Sequence, residues 1–268
     1  MAITTLDGAL AGMQPPVEFN KAATPTLVQG KAQSLFYLGG TPAAAVAPTP
    51  GIGGAVLTSY GGQLPFNNPS SGNTYLARLQ GWATIGGTLL LCDRLWHNSG
   101  INVGVTTEQT FTGAARIPAR DANGTNNGVG VFAAVEVSTA PTANTPTITL
   151  KYTNSAGGTG KTGTNIFPTT TTASIGSFFM IGLAAGDLGV QQAESITLSA
   201  AWTTSVIHAV LYRVLARLDI PTGGLNNAVD ALTGGFARAY DNTVPFLVFI
   251  PATTTASNIF GHVIWTQG

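Results

Sequence analysis

The chain has 268 residues and a mass of 27.3 kDa, with 11 basic and 11 acidic side chains, a charged fraction of 8% and a mean hydropathy of +0.26. An ordinary soluble domain is roughly a quarter charged, so this balance excludes intrinsic disorder, which combines low hydrophobicity with high net charge. It also leaves no basic cluster to displace counterions from a phosphate backbone, which argues against a nucleic-acid partner. Cys92 is the single cysteine, so no intrachain disulfide forms and nothing points to an oxidising compartment. A chain this long buries about 70% of its unfolded surface and needs no staple.

Taken in order, the opening MAITTLDGALAGM lacks a basic stretch followed by an apolar one and does not read as a signal peptide. Residues 1–72 form a compositional segment of their own, with eight prolines from Pro15 to Pro69 and Gly-Gly pairs at 39–40, 53–54 and 61–62. Proline fixes φ and removes a donor, so the segment is expected to be an extended arm with short strands at Ser34–Leu38 and Ala55–Tyr60. Leu35, Phe36, Tyr37, Leu38 and Phe66 make it too apolar for a solvated linker, and it is expected to lie against something.

From Asn73 the pattern turns to period two. In TYLARLQGWATI the positions Tyr75, Ala77, Leu79, Ala83 and Ile85 are apolar, the signature of a half-buried strand. TLLLCDRLW follows, ending in the turn cluster His97–Gly100. Further strands are expected at Val103–Phe111, Val129–Val137, Thr147–Thr153, Phe178–Leu183, Ser195–Trp202, Val206–Ile220, Val244–Ile250 and Asn258–Thr266. Val206–Ile220 carries both a helical stripe and a clean alternation; its β-branched content favours a strand, with ITLSAAW as the first arm of a hairpin. One short helix is expected near 226–233, capped by Asn226 or Asn227 and stopped by Gly234-Gly235. The run Thr169–Thr172 reads as a loop. About ten short strands between Gly, Asn, Pro and Thr turns point to an all-β domain over 73–268, a β-sandwich or jelly roll. No apolar stretch approaches the roughly 18 residues of a membrane span, so no membrane partner is expected.

The chemistry-bearing candidates are few. SAGGTGKTGT (Ser155–Thr164) ends like a phosphate loop but has Ser155 where the first glycine belongs, and Ile166-Phe167-Pro168 follows where a helix is required. Asp121–Asn127 is oxygen-rich but holds one carboxylate, too few for a calcium loop, and reads as a polar turn. Cys92 and His97 are an odd number of residues apart and on a regular strand face opposite ways, so a thiol–imidazole pair needs a bend. His208 and His262 sit in apolar strands as hydrogen-bonded core or interface residues. No catalytic motif, cofactor motif or metal set is found, and the chain is not expected to be an enzyme. Asp93, Arg94, Arg213, Arg217 and Asp219 are read as rim ion pairs or, more sharply, as charges that fix register between subunits. Arg213, Arg217 and Asp219, with Phe36 and Tyr37 of the arm, are the candidate interface residues. The thirty-eight threonines imply a neutral polar surface suited to packing against copies of the same chain.

YRVLARLDI (212–220), the stretch 227–255, GHVIWTQG (261–268), SLFYLGG, SGNTYLARL and LLLCDRLWHNSG together resemble virion structural proteins of tailed bacteriophages, of the head-associated decoration or cement type. The resemblance covers most of the chain and carries no catalytic motif. It implies a place on the capsid surface with the major capsid protein as partner; the neutral, Thr-rich composition and the Pro/Gly-rich arm separately lead to the expectation of a homotrimer whose arm adds a strand to a neighbour. A tail- or fibre-associated receptor or carbohydrate-binding sandwich is the alternative, with Trp82, Trp96, Trp202 or Trp265 as stacking faces.

Overall fold

The 15-residue strand Val206–Ile220 is the spine of the molecule, its β-branched alternation prevailing over the helical stripe that it also carries. The structure, a computed structural model, describes residues 3–142, 146–166, 173–202, 204–235 and 237–268; the Thr169–Thr172 run lies outside them. In chain order the elements are α1 (Leu6–Ala11), β1 (Val17–Lys21), β2 (Gln33–Ser34), β3 (Gly40–Thr41), β4 (Ala55–Val56), β5 (Thr74–Ala83), β6 (Gly87–His97), β7 (Gln109–Thr110) and β8 (Val131–Thr139). There follow β9 (Ile148–Asn154), β10 (Lys161–Asn165), β11 (Phe178–Gly182), β12 (Val190–Leu198), β13 (Val206–Ile220), β14 (Asn227–Asp230), α2 (Ala231–Gly234), β15 (Arg238–Ala239), β16 (Pro245–Pro251) and β17 (Ile259–Gln267). The protein is all-β, a sandwich of two antiparallel sheets. The small sheet runs β14-β5-β17-β1-β3 with β15 beside β5; the large one runs β2-β16-β6-β13-β8-β11-β10-β9-β12-β7 with β4 beside β6.

Three apolar clusters follow from this arrangement. Between the sheets, Phe19, Leu79, Ala83, Ile259 and Val263 of the small sheet meet Leu89, Leu91, Leu218, Leu247 and Phe249 of the large one. Beyond that contact the large sheet curls on itself, so that Val131, Val135, Leu150, Ile181, Ile196, Ile207 and Leu211 enclose a second core around Trp96 and Trp202. On the other face of β6, β13 and β16, Leu90, Cys92, Val210, Tyr212, Phe246 and Val248 form a third cluster, roofed by Ala32, Phe36, Tyr37, Ala45 and Tyr60 from the proline-rich segment.

That segment keeps its expected irregular, strand-poor character, but what it lies against is its own chain. β1 inserts between β17 and β3, and β2 and β4 add to the large sheet. The molecule exposes 10,839 Å², and a compact monomer of this mass exposes about 10,900 Å². A projecting arm would add to that area, so residues 3–72 are a structural part of the body, not a separable unit able to reach a neighbour. Sequence composition hid this because prolines exclude long strands without excluding burial.

Other elements depart from expectation for local reasons. NAVD (227–230) is a strand on β5, and the helix is a single turn that starts after it, capped by the Asp230 carboxylate on Leu232 N and Thr233 N and stopped at Gly235 in the left-handed region. Strand β12 pairs with β9 and β7, so no hairpin joins it to β13. Val103–Phe111 shrinks to the two residues of β7. The glycine-rich run at 155–160 is the turn between β9 and β10, which pair from Lys161↔Tyr152. β1, β3, β10, β15 and α1 were not expected. Among the described residues no helix is long and apolar enough to cross a membrane.

Candidate interaction surface and buried charge network

The polar chemistry of the molecule is organised by adjacent residues of β6 that face opposite ways. Where β6 pairs with β13, the register passes from Leu211↔Trp96 to Tyr212↔Arg94, leaving Leu95 as an extra residue. Such a bulge shifts the parity of the strand. Leu95 and Trp96 both enter the curled core, while Cys92, Arg94 and His97 come to one face, beneath the proline-rich roof. The bend that a Cys92–His97 juxtaposition required is therefore present. The thiol nonetheless stays inert, because burial and then the neighbouring Asp93 push its pKa far up.

Arg94 is the centre of the roofed cluster. Its Nη2 donates to Glu136 Oε2 at 2.6 Å, its Nε donates to His97 Nδ1 at 3.1 Å, and its guanidinium lies 4.7 Å from the Phe36 ring centroid. Tyr37 OH donates to the same Glu136 oxygen at 3.0 Å. Burial works against both charges, but each holds the other: Arg94 rises and Glu136 falls in pKa, with Ser34 and Tyr37 assisting the carboxylate. His97 is pushed down to about 2 by burial and then by Arg94, so it is neutral and its Nδ1 accepts. His208, beside Glu136 in the register, donates from Nδ1 to Asn98 O and accepts on Nε2 from Ser138, each at 2.8 Å; burial lowers it too. The cluster is a lock that ties the segment bearing Ser34, Phe36 and Tyr37 to β6 and β8, although Arg94 Nη1 and Glu136 Oε1 have no hydrogen-bond partner among the described residues.

On the opposite face, Asp93 accepts from Arg120 Nε at 3.1 Å and from Val244 N at 2.9 Å, and Arg120 Nη1 donates to Leu57 O at 2.8 Å. Asp121 spends its carboxylate on Asn123 N, Thr125 N, Thr125 Oγ1, Gly128 N and Val129 N, which makes the oxygen-rich stretch a self-satisfied turn. Asp93 and Arg94 are thus internal, and the rim reading of that pair is corrected.

Of the candidate interface residues, Phe36 is 1% exposed and Arg213 6%. Arg213 donates to Arg238 O at 2.8 Å and lies over Tyr240, so its charge is spent inside. Tyr37 is half-buried in the lock. Arg217 and Asp219 remain on the surface, 3.0 Å apart, as an ion pair within one strand. The structure does not bring these five residues together. Of the four tryptophans, Trp96, Trp202 and Trp265 are buried, and Trp82 stands half-exposed on the small sheet, stacked on Phe260.

Two surface features follow. Seven of the twenty-two charged side chains, Lys21, Asp93, Arg94, Arg120, Asp121, Glu136 and Arg213, are buried, so the exterior is poorer in charge than the composition. In addition, α1 is held rigidly: Thr5 caps Gly8 N, Thr266 Oγ1 donates to Ala9 O at 2.6 Å, and Gln14 N donates to Trp265 O at 2.8 Å. Yet Leu6 and Leu10 of α1, and Met13 just past its C-cap Gly12, are turned to solvent. Among the described residues no cluster of three His, Cys, Asp or Glu side chains is placed to hold a metal.

No family model and no curated protein matches the chain. Among solved structures, the VP2 subviral particle of infectious bursal disease virus aligns over 96% of this chain and 80% of that one, at 9% identity and a TM-score of 0.19. Likeness at that level carries no argument about fold or function.

Proposed function

We propose that this chain is a structural virion protein of the tailed-phage type, which binds a protein shell and stabilises it as assembled copies, a homotrimer on the capsid surface. The observation that carries the reading is the withdrawal of charge from the exterior: a surface of 10,839 Å² is left to fifteen charged side chains and a majority of Thr, Ser, Asn and Gly. Free proteins keep apart through charge, and a near-neutral exterior favours association. The outward apolar side chains Leu6 and Leu10 of α1, with Met13 just beyond its C-cap, give that association a place.

The mode of contact differs from strand addition by an arm. The terminal strands of the two sheets are short, two residues in β2, β3 and β7 and four in β14, which blunts the edges as templates for further pairing. Contact through faces and through α1 is the mode that remains. The test is co-sedimentation with DNA-free shells of the phage that encodes the chain. Saturable binding that raises the shell's melting temperature, weakened by Leu10→Asp, is the expected result. Shells that neither retain the protein nor gain stability overturn the reading.

A further inference from the structure

The solvent face of the small sheet carries a groove of about 470 Å³ that no other part of the fold uses, a volume within the roughly 300–1,000 Å³ range of small-molecule sites. The sheet register builds it in two rows. Asn20 of β1, Phe260 of β17 and Trp82 of β5 are direct neighbours across three strands, and so are Glu18, His262 and Gln80. Thr41 and Asn226 line it as well. Residues that alternate with these point the other way, where Phe19 packs on Gly81 and Gly261. A Cβ at either glycine would meet the Phe19 ring, at 3.4 Å for Gly81 and 2.5 Å for Gly261, so the floor of the groove is a sheet pressed tightly onto the core.

Two properties of the lining point to one kind of ligand. Trp82 and Phe260 are stacked with centroids 4.4 Å apart and planes 19° from parallel, and both rings line the groove. Around them, the side chains of Glu18, Asn20, Gln80, Asn226 and His262 make no hydrogen bond or ion pair with the described residues, whereas the carboxylates of Asp93, Asp121 and Glu136 are committed to donors. Aromatic faces offer apolar contact with an electron-rich surface that suits polarised C–H bonds. Amides, a carboxylate and an imidazole supply both donors and acceptors at fixed spacing along the strands. No lysine or arginine lines the groove, which disfavours phosphate and sulfate groups.

We infer that this groove binds a neutral saccharide, with a sugar ring stacked on the Trp82–Phe260 pair and its hydroxyls read by Gln80, Asn20, Asn226, His262 and Glu18. The site uses none of α1, one of the two contact modes proposed above, and the experiment below separates a glycan from a second copy as the occupant of this sheet face. A chain fixed to a shell would in this way present a glycan-binding face outward.

The experiment is binding of the intact protein to an array of neutral hexose and N-acetylhexosamine oligosaccharides alongside sialylated and sulfated ones, followed by titration of the best binder in solution. Trp82 is the one tryptophan not buried, so ligand-dependent emission reports this groove. Neutral glycans are expected to bind, Trp82→Ala and Phe260→Ala to weaken binding about tenfold or more, and Gln80→Ala to weaken it several-fold, each with an unchanged unfolding midpoint. Four results overturn the proposal: no neutral glycan bound, undiminished binding in Phe260→Ala and Gln80→Ala, preference for the anionic glycans, or self-association abolished by Trp82→Ala, which would make a second copy the occupant.

Discussion

Removing residues 1–50 distinguishes a projecting arm from a structural segment. The deletion takes away β1, which pairs with β17 over five residues from Val17↔Val263 to Lys21↔Ile259, and with it four side chains between 0% and 3% exposed: Phe19, Leu27, Leu35 and Phe36. Burial of each such side chain is worth about 1.5–3 kcal/mol, so the four together supply about 6–12 kcal/mol, against a total stability of about 5–15 kcal/mol for a domain. It also unroofs the Arg94–Glu136 pair and strips Phe36 from above the guanidinium. The shortened chain 51–268 is therefore expected to show no cooperative urea transition by circular dichroism and to bind a hydrophobic dye. In the full chain, Leu35→Ala alone is expected to cost about 2–5 kcal/mol. A 51–268 chain that unfolds cooperatively at the full-length midpoint would refute the reasoning.

Three further outcomes follow from the buried groups. Glu136→Gln leaves the Arg94 charge uncompensated in a dry site and is expected to cost about 3–5 kcal/mol in urea unfolding, whereas Arg94→Met with Glu136→Leu costs less than the single change; equal losses would contradict this. His97, held near 2 when folded, takes up a proton at about 6.5 when unfolded, so stability present above pH 6.5 is lost on acidification. At pH 4.5 the loss from His97 alone is about 3 kcal/mol, with His208 acting in the same direction, and urea midpoints that do not move between pH 7 and 4.5 would contradict it. Gly54 has φ +69° and a Cβ there would stand 2.2 Å from the Trp96 ring, so Gly54→Ala is expected to lower thermal stability well beyond the roughly 1 kcal/mol of an ordinary loop substitution.

Legibility in the sequence followed how local the governing interaction was. Period two located β5 and β13, because alternation records which face of a strand is dry, while apolar or β-branched runs between turn residues located β6, β8, β9, β11, β16 and β17, of which β6 and β16 are buried on both faces. Period two failed where a bulge changed the phase. In β5 the register skips from Arg78 to Leu76 against β17, so Leu76 is buried where Tyr75 was expected, and in β6 the extra Leu95 gathers Arg94 and His97 on one side. The partners of Asp93 and Arg94 were hidden for a related reason: Arg120 and Glu136 lie 27 and 42 residues away, beyond any local pattern. Phe36 and Tyr37 were recognised as residues that must be covered, but not that β6, β13 and β16 of their own chain cover them. The Trp82–Phe260 platform was half visible, since Trp82 alternates outward in β5, while its partner is set by a pairing 178 residues away in sequence.

The proposed role rests on a surface made for association, and the most direct test is the mass of the purified full-length protein by size-exclusion chromatography with light scattering, across a concentration series at physiological salt. The expected mass is a whole-number multiple of the 27.3 kDa chain, about 82 kDa for three copies, falling toward one copy in Leu10→Asp. A wild-type protein that stays at 27.3 kDa at every concentration, and adds nothing to shells, would contradict it.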